Sequence, residues 1–319
     1  MLSGQGQGQD DMTDSVRDGL LFSGKVCIDF DNSNSVAAAK QPLNSLKRKT
    51  KQLAQTLAKQ TRRRSSLNLG HVAPDTRAMM EGLALDANTY PALFVRAVLA
   101  TPDYRLLLQG LLALMRDCDN DSRIMAHTIE LALLIFRDKE LRQCLLDLGA
   151  FDLLCAKVPL VRENLSLILK FIEAATREMI LPLSAESRSL ISFLQSNVLT
   201  SSCPSLSVLS IIANSCKNTD VAKFVNSLEY SERFLRHVMG YLSDPDMNFL
   251  TVVHSLQILV RLTVDDPLGQ RVFKDSNIDQ IWRLVFSMLE KGTSYSLDPV
   301  LDLLEETVAI PKFCKSLQK

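Results

Sequence analysis

FLTVVHSLQILVRLTVDDPLGQRVFKDSNIDQIWRLVFSML, residues 249–289, indicates the fold class, because its apolar side chains fall at helical spacing in two separate stretches. The first stretch has an apolar residue at every third or fourth position, as on the buried face of a helix, at Phe249, Val252, Val253, Leu256, Leu259 and Val260. The second stretch repeats the pattern at Ile278, Ile281, Trp282, Val285, Phe286 and Leu289. Between them, Asp266 and Pro267 match the N-cap and first-turn positions of a short helix. The segment therefore predicts a long helix, a short helix and a second long helix.

The same pattern recurs in three earlier segments, residues 205–242, 162–198 and 123–158. The recurrence has a period of roughly 40 residues, which lies in the range of armadillo and HEAT repeats. One such unit cannot bury its own apolar faces, so neighbouring units must stack into a continuous core. We therefore predict an all-α fold, an armadillo/HEAT-like, right-handed superhelical solenoid.

The N-terminal part of the chain differs in composition from the rest. Residues 1–75 are rich in Gly, Gln, Ser, Asn and charged residues, and they hold too few apolar side chains to offset the entropy of ordering. They are predicted to form a disordered tail that carries a basic segment, residues 40–66. Residues 76–319 are predicted to form the armadillo-like helical repeat domain, since helical periodicity is nearly unbroken there and prolines stand where helices should begin or end.

The overall composition indicates an intracellular protein with a large core. The hydrophobic content is 46%, and no apolar run reaches the ~18 residues that suggest a membrane span. The formal net charge is zero, although residues 40–64 carry only basic charges. The seven cysteines are odd in number and scattered, and no secretory signal is seen, which favours reduced, buried thiols. We expect the protein in the nucleus and the cytoplasm.

A search for catalytic and ligand-binding motifs finds none. The four histidines, His71, His127, His237 and His254, are never four residues apart, so no helical two-histidine metal pair exists. The last three are interpreted as partly exposed helix positions. No Cys-x-x-Cys, no Gly-x-Ser-x-Gly and no phosphate-binding loop occurs. We therefore expect no catalytic residues, no metal and no cofactor, and a protein that is not an enzyme.

The basic segment carries two clusters of positive charge. They consist of Lys47, Arg48 and Lys49, and then, after residues 50–61, of Arg62, Arg63 and Arg64. Two clusters at that separation resemble a bipartite nuclear-import signal. A solvated charge run or a nucleic-acid-binding arm fits equally well, because basic residues attract any polyanion. Ser65 and Ser66 follow three arginines and suit a basophilic kinase, and phosphates there would reduce the local positive charge.

A short motif near the C-terminal end has two interpretations. Leu301, Leu304 and Glu306 resemble the L-x-x-I-x-E motif that docks on regulatory subunits of protein phosphatase 2A. Such motifs bind from extended segments, whereas Asp298 and Pro299 predict the start of a helix. We therefore favour packing of these leucines in the core.

The predicted helices also resemble those of a known family. Trp282 is the one tryptophan and Phe286 follows four residues later, so the W-x-x-x-N ladder of importin-type cargo receptors is absent. Segments such as RQCLLDLGAFDLL (142–154) and FLTVVHSLQILVRLT (249–263), taken in order, are similar to consecutive helices of the N-terminal armadillo region of the cancerous inhibitor of protein phosphatase 2A family. The likeness is strongest over residues 205–289 and extends from about residue 123 onward.

The resemblance implies a non-enzymatic scaffold. Family members bind regulatory subunits of protein phosphatase 2A and restrain its activity, and they join a topoisomerase-II-binding damage scaffold to hold broken chromosomes together in mitosis. No heptad series like the family's coiled coil is seen, and self-association as a homodimer stays open. The alternative function is a nucleic-acid- or chromatin-associated adaptor, whose basic tail binds DNA while its repeats recruit a partner.

Overall fold

The computed structural model describes residues 33–63, 74–117, 122–201, 205–244, 247–263, 282–283, 286–287 and 298–308. These ranges are predominantly helical, and no strand occurs in them. The helices are α1 (Ser33–Arg63), α2 (Pro74–Thr89), α3 (Pro91–Leu99), α4 (Tyr104–Asp117), α5 (Ser122–Ile135), α6 (Lys139–Asp147), α7 (Ala150–Lys157), α8 (Leu165–Glu178), α9 (Ala185–Thr200), α10 (Leu206–Ser215), α11 (Thr219–Ser227), α12 (Ser231–Ser243), α13 (Phe249–Thr263) and α14 (Asp298–Val308).

The helices stack as a series of pairs. In each of the pairs α1/α2, α4/α5, α7/α8, α9/α10 and α12/α13, the two helices pack on each other. The second helices form a continuous row, in which α2 packs on α5, α5 on α8, α8 on α10, and α10 on α13. We call this the second-helix row. Among the first helices, α1 packs on α4, and α9 packs on both α7 and α12. This arrangement confirms the prediction of an all-α solenoid.

The core runs through all the pairs, as the apolar periodicity predicts. Val253, Leu256 and Leu259 of α13 are fully buried, and each buried leucine contributes about 2 kcal/mol. Successive pairs also share aromatic contacts, since the rings of Phe136 and Phe171 meet edge to face with their centroids 5.0 Å apart. No pair could bury these side chains alone, which explains why the units stack.

One predicted three-helix unit is incomplete. Helix α8 ends at Glu178 and α9 begins after Ser184, and residues 180–184 between them are not helical. Pro182 has no backbone N–H to donate within a helix. Leu181 is only 1% exposed and fills the core at this point, and Ser184 caps α9 by accepting from the backbone N–H of Ser187 at 3.2 Å. The three-helix interpretation of residues 162–198 is therefore wrong.

The prediction of a disordered tail over residues 1–75 is wrong for Ser33–Arg63, which form the long helix α1, and for residues 74 and 75, which begin α2. The composition of this segment is polar, but its few leucines fall on one stripe, and Leu46, Leu53 and Leu57 are each at most 2% exposed. They pack on α2, α3 and α4, which provide the burial that composition alone does not reveal. The helical domain therefore includes α1. Residues 1–32 and 64–73 lie outside the described ranges, and their disorder stays a prediction.

Asparagine side chains connect neighbouring units. The Nδ2 of Asn164, just before α8, donates to the carbonyl oxygen of Ser122 at the start of α5, at 2.8 Å. The Nδ2 of Asn218 donates to the Leu181 carbonyl at 2.8 Å. Asn218 Oδ1 also accepts from the backbone N–H of Asp220 at 2.9 Å and so caps α11. Such bonds fix the position of one unit against the next, because each joins a side chain of one unit to a backbone carbonyl of another.

Candidate functional site

Helix α1 separates its apolar side chains from its basic ones. The buried stripe contains Leu46, Thr50, Leu53 and Leu57. The 31-residue helix carries eight basic residues and no acidic one. Five of the basic side chains face solvent, at Lys40, Lys47, Arg48, Lys51 and Lys59. The outer face of α1 is therefore a positively charged surface.

Lys49 is the exception among these basic residues, because its side chain contacts α2. Its Nζ lies 2.6 Å from Asp86 Oδ2 and donates to the Gly82 carbonyl oxygen at 3.2 Å. The lysine and aspartate side chains are 36% and 30% exposed, so solvent weakens their attraction. The pair therefore positions α1 more than it stabilises it.

Helices α1 and α4 approach each other closely at Gly110. A Cβ atom placed on Gly110 would lie 2.6 Å from Leu57 Cβ and 2.8 Å from Leu57 Cδ1. Real Cβ atoms do not come that close, so a larger residue would push the helices apart. Glycine at this position is needed for the docking of α1.

The residues predicted as an import signal or polyanion site do not share one environment. Lys47 and Arg48 are exposed, while Lys49 is engaged with α2. Arg62 and Arg63 belong to the last turn of α1, but their side chains lie outside the described part. Arg64 and the predicted phosphorylation sites Ser65 and Ser66 also fall outside the described residues. The import and kinase hypotheses for these residues stay predictions.

The second-helix row carries a set of hydrogen-bonded polar side chains. Glu173 of α8 accepts from Ser207 Oγ of α10 at 2.6 Å, and it pairs with Arg177 one turn along its own helix. On α13, His254 Nδ1 lies 3.1 Å from Gln257 Oε1. Polar side chains therefore recur on α8, α10 and α13, the successive helices of the row.

The histidines differ in their environments. His127 and His237 are half-buried, as predicted, and His237 packs edge to face on Tyr241 with the ring centroids 5.2 Å apart. His254 is only 9% exposed, so the interpretation of this residue as partly exposed is wrong. Burial lowers the pKa of His254 and favours the neutral ring. His71 lies outside the described residues.

The cysteines that the structure describes are buried, as predicted. Cys144, Cys155 and Cys216 are free thiols inside the core. Burial raises the pKa of Cys216 to about 12 and raises the pKa of Cys155 as well. Since the thiolate is the reactive form, burial disfavours reaction at Cys155 and Cys216, and all three thiols pack in the core.

The described ranges contain no candidate metal site. No group of three or more His, Cys, Asp or Glu side chains is placed to hold a metal ion there. None of the described helices has both the length and the apolar character needed to cross a membrane. What the described residues offer is extended helical surface.

The helix predicted from Asp298 and Pro299 is present as α14. Leu303 is fully buried, Leu304 is half-buried and Leu301 is 50% exposed. The prediction of core packing is therefore wrong for Leu301. The Glu306 side chain lies outside the described part.

Residues 106–319, well over half of the chain, match a family model described as CIP2A, N-terminal. The chain belongs to the CIP2A family. The match begins inside α4, earlier than the residue near 123 from which the resemblance is visible in the sequence. It therefore takes in the stacked pairs from α4/α5 onward. Helices α1, α2 and α3 precede the matched residues, so the basic surface lies on the N-terminal side of the CIP2A family region.

Three residues at the contacts of α1 are not identifiable from the sequence. They are Thr50 in its buried stripe, Gly110 at its closest approach to α4, and Asp86 opposite Lys49. The spacing of residues 46, 50, 53 and 57 is a helical stripe and was the available signal. Nothing in the sequence pairs Lys49 with a carboxylate 37 positions away.

Proposed function

We propose that this chain is a non-enzymatic, protein-binding scaffold that regulates protein phosphatase 2A and takes part in mitotic chromosome-break tethering. The observation that carries the proposal is the CIP2A family match over residues 106–319. By family resemblance, its partners are a regulatory subunit of protein phosphatase 2A and the topoisomerase-II-binding damage scaffold. The proposal places the protein in both the nucleus and the cytoplasm.

The second-helix row supports a binding role for this scaffold. Stacked helices leave a long surface on which an extended or helical peptide can lie. On α8, Lys170 and Arg177 are exposed on the same face of the helix as Glu173. Positive side chains beside a hydrogen-bonded Glu173–Ser207 contact suit a partner segment that carries carboxylates or phosphates.

Recovery of partners from mitotic extract tests the proposal. We expect the full chain to recover a phosphatase regulatory subunit or the damage scaffold, and Lys170→Glu/Arg177→Glu to lose that partner. Lys223→Glu/Arg233→Glu is the matched control, because it makes the same charge change at exposed residues of α11 and α12. Recovery of neither partner by the unmodified chain would contradict the proposed function. Equal loss in both variants would remove α8 as the contact.

A second candidate function rests on the outer face of α1. Five exposed basic side chains and the absence of acidic residues in α1 favour binding of nucleic acid through its phosphates. We expect Lys47→Glu/Arg48→Glu/Lys51→Glu to weaken binding to a DNA duplex and to flatten the dependence of affinity on salt by about one unit of slope for each lost contact. The control is Lys223→Glu/Arg233→Glu/Arg236→Glu. Salt-independent binding by the unmodified chain would exclude this function.

A further inference from the structure

Thr50 is an unusual residue in the buried stripe of α1. It is 0% exposed, between the equally buried Leu46 and Leu53. Its Oγ1 has no hydrogen-bond partner within the described part of the chain. A buried hydroxyl without a partner opposes docking, because it gives up its bond to water and gains none in return. An apolar residue of the same shape would hold α1 in place better.

Basic residues flank Thr50, as they do in the substrates of basophilic kinases. Lys47, Arg48 and Lys49 precede the threonine and Lys51 follows it. An acidic substrate pocket of a basophilic kinase would bind such bases through charge-assisted contacts. The hydroxyl itself cannot reach a kinase while it is buried. Recognition is therefore possible only when α1 has left the helices that cover it.

The docking of α1 has features that permit such release. Its ion pair with α2, between Lys49 and Asp86, is partly open to solvent. The helix is terminal among the described units and packs on α2, α3 and α4 through one stripe of side chains. Terminal elements open more often than the centre of a stack. Release of α1 would separate one helix, while α2, α3, α4 and α5 keep their contacts with one another. Detachment would expose Thr50 together with Lys49.

We propose that Thr50 is a phosphorylation site for a basophilic protein kinase, available only when α1 detaches, and that its phosphate keeps α1 detached. In this reaction the bond between the γ-phosphorus of ATP and its bridging oxygen breaks, and a bond from Thr50 Oγ1 to that phosphorus forms. The hydroxyl proton passes to the kinase's base, and ADP leaves.

The phosphate prevents the helix from docking again. It adds a charge of about −1.5 to −2, which cannot enter an apolar interface without a positive partner. In the detached helix the same phosphate has Lys47, Arg48, Lys49 and Lys51 beside it. Modification therefore opposes the docked state and favours the free helix.

The experiment uses the full chain with Ser65→Ala and Ser66→Ala, so that the sites predicted in the sequence cannot contribute. The protein is incubated with the catalytic subunit of a basophilic kinase and Mg-ATP. Phosphorylated positions are followed over time by peptide mass spectrometry, and hydrogen exchange reports the protection of α1. We expect slow phosphorylation of Thr50, and at least about tenfold faster phosphorylation in Gly110→Val, in which Leu57 is displaced. Amide exchange over residues 46–57 should rise after modification.

Two further variants keep the test decisive if Gly110→Val does not fold. Asp86→Asn weakens the contact to Lys49 and should also speed the modification. Thr50→Glu should raise exchange over residues 46–57, whereas Gln52→Glu, which adds the same charge at an exposed position, should not. The proposal is overturned if Thr50 stays unmodified in a variant whose α1 exchanges freely. It is also overturned if Thr50 is modified while α1 remains protected.

Discussion

Lys49 Nζ lies 2.6 Å from Asp86 Oδ2, and this contact joins the N-terminal helix to the helix that follows it. Both side chains are about one third exposed, so the contact is worth about 0–1 kcal/mol. In a double-mutant cycle with Lys49→Gln and Asp86→Asn, we expect a coupling free energy of that size from denaturant unfolding. The coupling should shrink further at high salt. A coupling well above 1 kcal/mol would mean that the pair holds the helix rather than positioning it.

Gly110→Ala and Gly240→Ala should change stability in opposite directions. A methyl group on Gly110 would meet Leu57 at 2.6 Å, and overpacking of this kind costs about 1–3 kcal/mol. A methyl group on Gly240 meets no atom within 4 Å, and alanine stabilises a helix by about 0.5–1 kcal/mol relative to glycine. Thermal and denaturant unfolding of both variants measure the difference. Stabilisation by Gly110→Ala would show that α1 does not approach α4 in solution as described.

Thr50→Val should stabilise the docked helix. The substitution keeps the shape and removes a buried hydroxyl that lacks a partner, so we expect a gain of about 1 kcal/mol. Thr56→Val is the control on the same helix, since the Thr56 hydroxyl bonds the Gln52 carbonyl at 3.0 Å near the surface. Its effect should stay within about 0.5 kcal/mol. Hydrogen exchange over residues 46–57 should slow only in Thr50→Val, and equal effects of the two substitutions would contradict the burial argument.

Substitutions at Asn218 separate its two structural roles. Asn218→Ala removes both the cap of α11 and the bond to the Leu181 carbonyl, and should cost about 1–3 kcal/mol. Asn218→Asp retains an oxygen that can cap the helix but loses the Nδ2 donor, so its cost should be smaller. Unfolding free energies of the two variants give the comparison. An equal cost would assign the whole effect to the bond between units.

The pH dependence of stability should report the buried His254. Burial lowers its pKa below the ordinary value of 6.5, although the Gln257 hydrogen bond and the Glu173 charge oppose this shift, and Arg177 and Arg261 add to it. The unfolded chain then binds a proton below pH 6.5 more readily than the folded chain does. The contribution of neutral His254 is therefore complete above pH 6.5 and is lost as the pH falls below that value. Compared with His254→Gln, the wild type should lose more stability on acidification, and a constant difference across that range would contradict the prediction.

The apolar periodicity predicted the stacked helices because each stripe is a local property of the chain. Leu256 and Leu259 recur at helical spacing and are buried where the pattern places them. The prediction of a short helix fails at residues 179–184, which are not helical. Pro182 interrupts a helix there, and an extended segment fills the core position instead. The composition of helix α1, by contrast, does not predict a helix. Its average composition is polar, and only the partner surfaces on α2, α3 and α4 make its stripe stable.

The sequence singles out the basic run of α1 but does not distinguish its members. The exposure of Lys47 and Arg48 follows from a basic run with few apolar neighbours. The engagement of Lys49 could not be predicted, since one lysine in a run of bases looks like the next until a carboxylate is placed opposite it. The close approach at Gly110 depends on the docking of two helices far apart in sequence. Contacts of this kind belong to tertiary structure and have no local signal.

The α1/α2 pair also determines which fragments of this protein remain soluble when they are expressed. An expression fragment cut at the family boundary, residue 106, would remove the helices that shield Leu107, Leu108 and Leu111 from water. Terminal repeats of a solenoid need a polar outer side to remain soluble. Fragments intended for crystallisation or partner screening should therefore begin at or before residue 33, so that the polar face of α1 covers the end of the described stack.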